Sequence, residues 1–186
     1  FPGVQNQLHL IQSVFEKKEE DRDVFEAQLL EIYQNVMKFR EIVSSFSCLL
    51  PMFTVYDSET AQKLHIQPGQ FTSYAHIMSH RESLFDISQN ILTKSEESWS
   101  DSEREVALLL YNLQQTSKDE FAKALKIIPP SKNDSTGLWI SPWELLDGRT
   151  IEQHQDKIIK SMEAYLLARF EKSSSAKNDA LRSYKT

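Results

Sequence analysis

Residues 4–50 contain the stretch that decides the fold, VQNQLHLIQSVFEKKEEDRDVFEAQLLEIYQNVMKFREIVSSFSCLL. Alternating steps of four and three residues through this stretch reach fourteen positions, of which twelve are apolar. The fourteen positions are Val4, Leu8, Ile11, Phe15, Lys18, Arg22, Phe25, Leu29, Ile32, Val36, Phe39, Val43, Phe46 and Leu50. An apolar repeat of about 3.5 residues held over this length is typical of a helix that packs lengthwise against other helices. We therefore predict one helix over residues 4–50, about 70 Å long at a rise of about 1.5 Å per residue.

The two polar positions of the repeat, Lys18 and Arg22, lie in the charged run from Glu16 to Asp23. Such a run is usually a solvated face. Charges at core positions of a heptad helix also occur where a bundle opens, ends or meets another chain, so Lys18 and Arg22 are candidate interaction residues. Two helices broken near residues 17–23 are the alternative, but a single helix is favoured because the apolar register is unchanged across the run.

Glycine and proline are scarce and are confined to a few places in the chain. The 4 Gly and 6 Pro are about 5% of the residues, against about 12% in an average protein. Both disrupt helix interiors, and both are absent from residues 4–50 and 70–128. We predict an all-α fold, an elongated bundle of three to four long antiparallel helices with coiled-coil-like heptad packing. The predicted single domain covers residues 1–172, with helices at about 4–50, 71–128 (kinked near 95–101 or divided into 71–95 and 101–128) and 142–172, and a polar tail at 173–186.

Two capping patterns predict where helices begin. Ser100 followed by Glu103 has the spacing of a capping box, in which a hydroxyl and a carboxylate bind free backbone amides of a new helix. The same pattern recurs with Ser141 and Glu144, and Pro142 between them suits the first helical position. The third helix is therefore predicted to begin at Pro142.

The connection over residues 129–142 is the least ordinary segment, because it precedes Trp143 and itself carries Leu138 and Trp139. Two of the three tryptophans thus lie at the junction between predicted helices. Their more common role would be to plug the open end of the bundle. The alternative is an exposed aromatic anchor that docks a partner or inserts at a membrane interface, so these three residues are interaction candidates.

No pattern of reactive side chains indicates an active site. His76 and His80 are four residues apart, a spacing at which both rings can face one metal ion, but zinc needs at least a third ligand. The Glu-x-x-His motif of di-metal bundles and the phosphate-binding and nucleophile motifs are absent. No basic residue near Cys48 would activate its thiol, and Cys48 lies next to the predicted core face, so we predict a buried structural cysteine. We predict no enzymatic activity, no cofactor and no catalytic, cofactor-binding or metal-binding residues. A small-molecule carrier with His76 and His80 in its interior is a minor alternative.

Charge and composition limit the partners. The net charge of −6 argues against nucleic-acid binding, which needs a basic face. No stretch approaches the roughly 18 uninterrupted apolar residues of a membrane span, and the single cysteine cannot form an internal disulfide. We expect a cytoplasmic protein, with peripheral attachment to a membrane as an alternative. The start at Phe1, without methionine or leader, suggests a segment of a longer protein.

The layout of three long helices and two connections over about residues 4–172 is similar to that of BAR domains, in helix length and order only. This resemblance implies a membrane-binding helical dimer with its basic surface on the last helix and tail, where the candidate lipid contacts are Lys157, Lys160, Arg169 and Lys172. Residues 142–186 carry eight basic and seven acidic side chains, which does not favour an anionic membrane. The favoured function is a non-enzymatic helical protein–protein interaction or scaffold module that dimerises or docks a partner helix.

Overall fold

A computed structural model of the chain describes residues 8–132, 134–147 and 151–185. Within these ranges the chain is mostly helical, with nine α-helices, a few 3₁₀ turns and two strands of two residues each. The predicted all-α class is therefore confirmed. The chain divides into two compact units, the first ending at Val43 and the second beginning at Ser44, where the sequence predicted one domain.

The helices are shorter and more numerous than predicted. Strands β1 (Phe53–Thr54) and β2 (Phe71–Thr72) form an antiparallel pair, with Phe53 opposite Thr72. The helices are α1 (Leu8–Phe15), α2 (Val24–Phe46), α3 (Ser58–Lys63), α4 (Tyr74–Ser79), α5 (Arg81–Leu92), α6 (Asp101–Thr116), α7 (Pro142–Leu146), α8 (Gln153–Phe170) and α9 (Ser174–Lys185). Residues 4–7, where the first helix was predicted to begin, lie outside the described ranges.

The first unit is built on the contact between α1 and α2. Ile11 and Val14 of α1 are buried together with Leu30 of α2. The rings of Phe15 and Tyr33 meet edge to face, with their centroids 5.8 Å apart. The partly buried side chains around this small core are Leu10, Leu29 and Tyr33.

Arg22 ends the first helix. Its Nε donates to the carbonyl oxygen of Val14 at 3.2 Å, and its Nη2 donates to the carbonyl oxygens of Lys17 at 2.7 Å and Phe15 at 3.4 Å. Carbonyls in the last turn of a helix have no partner within that helix, so a guanidinium that binds them stabilises the end. Arg22 was a candidate for docking a partner, and the structure places it in this capping role instead.

A reciprocal pair of hydrogen bonds stabilises the start of α2. Asp23 Oδ1 accepts a hydrogen bond from the backbone N–H of Glu26 at 2.8 Å, and Glu26 Oε2 accepts one from the N–H of Asp23 at 3.2 Å. These reciprocal bonds have the pattern of a capping box. The prediction of one continuous helix over residues 4–50 is therefore wrong, and the alternative break near residues 17–23 is correct.

The second unit contains two apolar clusters, and Tyr74 packs against both. Backbone bonds of 2.9 Å in both directions between Ile128 and Ile140 close the connection ahead of α7. The buried members of the first cluster are Cys48, Leu49, Ala75, Ala122, Ile128, Ile140, Trp143, Leu145 and Ile159. Those of the second are Phe53, Val55, Ala61, Leu64, Ile77, Leu84, Leu109 and Leu113.

The predicted start of α6 is confirmed. Ser100 Oγ accepts from the N–H of Glu103 at 3.3 Å, and Glu103 Oε2 accepts from the N–H of Ser100 at 2.8 Å. Residues 71–128 were predicted to form one helix or two. They contain three helices, because a further break after Ser79 separates α4 from α5. The last of them ends at Thr116, well before the predicted residue 128.

Polar side chains from the end of α2 hold the chain beyond α6 in a non-helical form. Ser44 Oγ donates to Asp119 Oδ2 at 2.8 Å, and Asp119 Oδ1 accepts from the N–H of Phe121 at 2.9 Å. Ser45 Oγ donates to the carbonyl oxygen of Phe121 at 3.3 Å and accepts from the N–H of Leu125 at 3.0 Å. Backbone groups that bind these side chains are not available for a continuing helix.

The predicted start at Pro142 is also confirmed, with reciprocal bonds between Ser141 and Glu144. The helix predicted over residues 142–172 is nevertheless wrong as one element. It consists of α7, which ends at Leu146, and α8, which begins at Gln153.

Residues 173–186 were predicted to be a polar tail, and this is a further correction. After Lys172, whose φ of 58° is left-handed, the chain forms α9. Ala180 of α9 is buried, and Ser183 Oγ lies 3.1 Å from Ser161 Oγ of α8. The segment is helical because α8 provides a surface for one of its sides, which the composition of the segment alone does not reveal.

Arg22 provides a test of the α1 cap. Arg22→Ala removes three hydrogen bonds to backbone carbonyls, so we expect α1 to open more easily by about 1–3 kcal/mol. Native-state hydrogen exchange of the amides of α1 measures this opening free energy. Lys18→Ala is the matched control, because it removes a nearby cation that is exposed. Equal effects of the two substitutions would contradict the capping role.

Glu103 provides a pH test of the α6 start. The hydrogen bond from Lys94 and the bond from the Ser100 amide lower the pKa of Glu103 from 4.5 to about 2. A carboxyl group whose pKa is lower in the folded state stabilises that state above its unfolded pKa. This stabilisation is therefore complete above pH 4.5 and is lost as the pH falls through about 2. The protection factors of the amides in the first turn of α6, which compare their exchange with that of the unfolded chain at the same pH, should fall over this window, and Glu103→Gln should remove that pH dependence.

Candidate functional site

The heptad stripe of α2 faces away from α1. Leu30, the α2 residue buried against α1, points to the side of the helix opposite Ile32 and Phe39, as a turn of about 3.6 residues requires. Phe25, Ile32 and Phe39 are therefore 64%, 58% and 56% exposed. We define the exposed face of α2 as Phe25, Ile32, Phe39 and Val43, which are exposed, together with the half-buried Val36 between them.

An exposed row of large apolar side chains is costly in water unless another surface covers it. The sequence predicted that this stripe would be the seam of an internal bundle. Within the first unit α1 packs on Leu30 and on the partly buried Leu29 and Tyr33, so Leu29 is the stripe residue of α2 that takes part in the contact that builds the unit. The exposed face of α2 is for this reason the first candidate site.

The two tryptophans of the 129–143 region have opposite environments. Trp143 is 4% exposed, its Nε1 donates to the carbonyl oxygen of Ser44 at 3.0 Å, and its ring lies 4.6 Å from that of Tyr74. A side chain committed to the core in this way does not dock a partner, which corrects its place among the interaction candidates. Leu138 and Trp139 are 67% and 55% exposed and remain candidates.

The candidate lipid contacts do not share a face. Lys160 and Arg169 are nine residues apart on α8, about two and a half turns, and so point to opposite sides of the helix. Lys160 also pairs with Asp156 at 2.8 Å, which offsets its charge. Lys157 is exposed one turn before Lys160, and Lys172 follows the end of α8. The structure thus supplies no continuous basic strip from these four residues.

A large cavity in the second unit is the second candidate site. Its volume is about 1150 Å³, enough for a small organic molecule. Its walls come from the loop before β2, from α4 and the start of α5, and from α8. Apolar side chains of α8 line the cavity, and titratable side chains line it on all three walls.

Three histidines line one wall of the cavity. The ring of His80 lies 4.7 Å from that of His65 and 4.8 Å from that of His76, measured between centroids. His76 Nε2 lies 3.0 Å from the carbonyl oxygen of Leu64, and His80 Nδ1 lies 3.0 Å from that of His76. Since a carbonyl only accepts, each of these two rings donates one N–H to the backbone.

The rings of His76 and His80 therefore pack side by side, and they do not converge on one point. Over the described ranges of the chain, no group of three His, Cys, Asp or Glu side chains is arranged to hold a metal ion. The third ligand that the sequence lacked is not supplied by the fold within those ranges. Flat imidazole rings in contact with one another are instead suited to packing against an aromatic group.

Glu163 and Ser73 join two walls of the cavity. Ser73 caps α4 by accepting from the N–H of His76 at 2.9 Å, and its hydroxyl donates to the carboxylate of Glu163 on α8. Within the described parts of the chain, Glu163 makes no ion pair with a lysine, arginine or histidine. Its negative charge is thus held by a neutral donor.

Cys48 is close to this carboxylate and is buried. Burial raises the pKa of the Cys48 thiol to about 12, and the charge of Glu163 adds a smaller increase. Since the thiolate is the nucleophile, a thiol with this pKa is unreactive near neutral pH. The prediction of a buried structural cysteine agrees with this environment.

Thiol labelling tests the environment of Cys48. At about pH 8 the folded protein should leave Cys48 unmodified by an aromatic disulfide reagent, whereas the unfolded chain should release one equivalent of chromophore. The colour released per chain, with and without denaturant, measures this difference. Rapid labelling of the folded protein would contradict the buried, high-pKa description.

Comparisons with known proteins provide no relative. No protein-family model, no curated protein and no solved structure matches the chain. Across the described ranges, no helix has both the length and the apolar character needed to cross a bilayer. Function is therefore argued from the exposed face of α2 and the cavity alone.

Sequence reasoning missed most of the cavity. His76 and His80 attracted attention through their spacing, but His65, Ser73 and Glu163 did not, because they come from separate elements. The α2 residues were all identified as heptad positions. What was missed there is that they face outward, and the extra apolar residue Leu30 beside the stripe was the available sign of a second contact side.

Proposed function

We propose that the chain is a non-enzymatic helical interaction module that forms a homodimer through the exposed face of α2. The observation that carries this proposal is the outward orientation of Phe25, Ile32 and Phe39, seven residues apart along one helix. Heptad spacing is the spacing at which two helices pack side chains into each other. The coiled-coil packing predicted from the sequence is thus proposed between two copies of the chain.

A second copy is favoured as the occupant because the face is complementary to itself in an antiparallel register. In that register Phe25 packs opposite Val43 of the other copy, and Ile32 opposite Val36. Each of these layers combines a larger and a smaller side chain, and a two-fold axis repeats both layers. Leu29, which lies opposite Phe39, is partly buried against α1. Such self-complementarity is what an isologous dimer interface requires.

Sedimentation equilibrium of the full chain tests the dimer. We expect the unmodified protein to be dimeric, and Ile32→Lys to weaken dimerisation by about hundredfold or more, because each copy loses a buried isoleucine and gains a buried charge. Gln34→Lys is the matched control, since it places the same charge at an exposed position of α2 outside the exposed face. A monomeric unmodified protein would overturn the homodimer, as would a dimer that Ile32→Lys leaves intact.

Cross-linking tests the orientation. A mixture of Phe25→Cys and Val43→Cys chains should form the mixed disulfide on oxidation, because the antiparallel register places these positions opposite each other. A parallel pair would instead give the Phe25→Cys homodimer. The buried Cys48 should not interfere, since its thiol is unreactive when folded.

A further inference from the structure

Among the described residues that line the cavity, the acidic and basic side chains other than Glu163 balance in charge. Lys160 and Asp156, both facing the cavity, pair with each other at 2.8 Å. Arg81 and Glu82 are exposed and contribute one charge of each sign. Glu163 has its carboxylate bound by the Ser73 hydroxyl and no ion pair within the described chain. The net charge that faces the cavity is therefore negative, and it is concentrated on one residue.

An unpaired carboxylate in a partly enclosed site is stabilised by a bound cation more strongly than the same group in water. The wall beside it is apolar, with Ile159, Ala164 and Leu167 of α8 on the cavity side. The opposite wall holds the histidine rings, which are flat groups that can pack against the body of a ligand. These three features require three things of a ligand: a positive charge, a hydrocarbon part and small organic size.

We propose that the cavity of the second unit binds an organic ammonium ion, a protonated primary amine on an apolar or aromatic body, with Glu163 as its counter-charge. The ammonium group donates to the Glu163 carboxylate beside the Ser73 hydroxyl. The apolar body packs between the α8 wall and the rings of His76 and His80. This ligand site is independent of the proposed dimer, because all its residues belong to the second unit.

Isothermal titration of the full chain with three matched probes tests the proposal. The probes are 2-phenylethylamine, which is protonated at neutral pH, the neutral 2-phenylethanol and the anionic 3-phenylpropanoate. We expect the amine to bind at least about tenfold more tightly than the alcohol, because only the cation gains the interaction with Glu163, and the anion not to bind. Equal binding of amine and alcohol by the unmodified protein would overturn the proposal, and so would the absence of amine binding at millimolar concentration.

Substitution of Glu163 tests whether its charge is the one that binds the ammonium group. Glu163→Gln keeps an acceptor for the Ser73 hydroxyl and removes the charge, so it should abolish the preference for the amine. Glu171→Gln removes an equal charge from an exposed position just beyond α8 and should leave the preference unchanged. A preference that survives in Glu163→Gln would overturn the assignment. If that variant does not fold, the three-probe series on the unmodified chain decides the question alone.

Discussion

The hydrogen bond from the indole of Trp143 to the carbonyl oxygen of Ser44 joins parts of the chain 99 residues apart. It holds the start of α7 against the last turn of α2, at the place where Ser47 also accepts from the indole at 3.3 Å. The hydroxyls of Ser44 and Ser45 bind the segment after α6 at the same location. Three regions of the second unit therefore depend on one helix end, and the cavity wall on α8 is assembled around that cluster.

This constraint explains why α2 serves two purposes. Its last turn supplies polar groups that organise the second unit, whereas its middle carries a heptad stripe whose side chains are not needed for the core of the first unit. The α1 contact is made through Leu30, Leu29 and Tyr33. An apolar stripe that the fold leaves exposed is the feature on which the proposed dimer rests. The same stripe would have been structural had α1 packed along it.

The cavity is formed by residues from separate elements of the second unit. Ser73 caps α4 for a purely local reason, since its hydroxyl accepts from an amide three residues later. The Ser73 hydroxyl also donates a hydrogen bond to the carboxylate of Glu163, ninety residues further along the chain. The residue that caps α4 thus also binds the charged group of the cavity. The unpaired state of that carboxylate among the described residues, more than the histidine spacing, indicates what the cavity would bind.

Local sequence patterns were enough to predict the all-α class, the starts of α6 and α7 and the buried position of Cys48. Helix starts depend on bonds between residues three apart, so Ser100 with Glu103 and Ser141 with Glu144 contain all the information needed. The charged run around Arg22 was visible as well, although its effect on the helix was not.

Only the tertiary structure decided where the helices end, which side of α2 is used and which groups share a cavity. The segment after Thr116 is not helical because its polar groups bind Ser44 and Ser45, which lie about seventy-five residues earlier in the chain. Residues 174–185 form a helix because one side of that helix packs against α8. Periodicity identifies an apolar side of a helix but not the partner that covers it. The choice of partner is made by contacts between distant residues, whose free energies no local pattern contains.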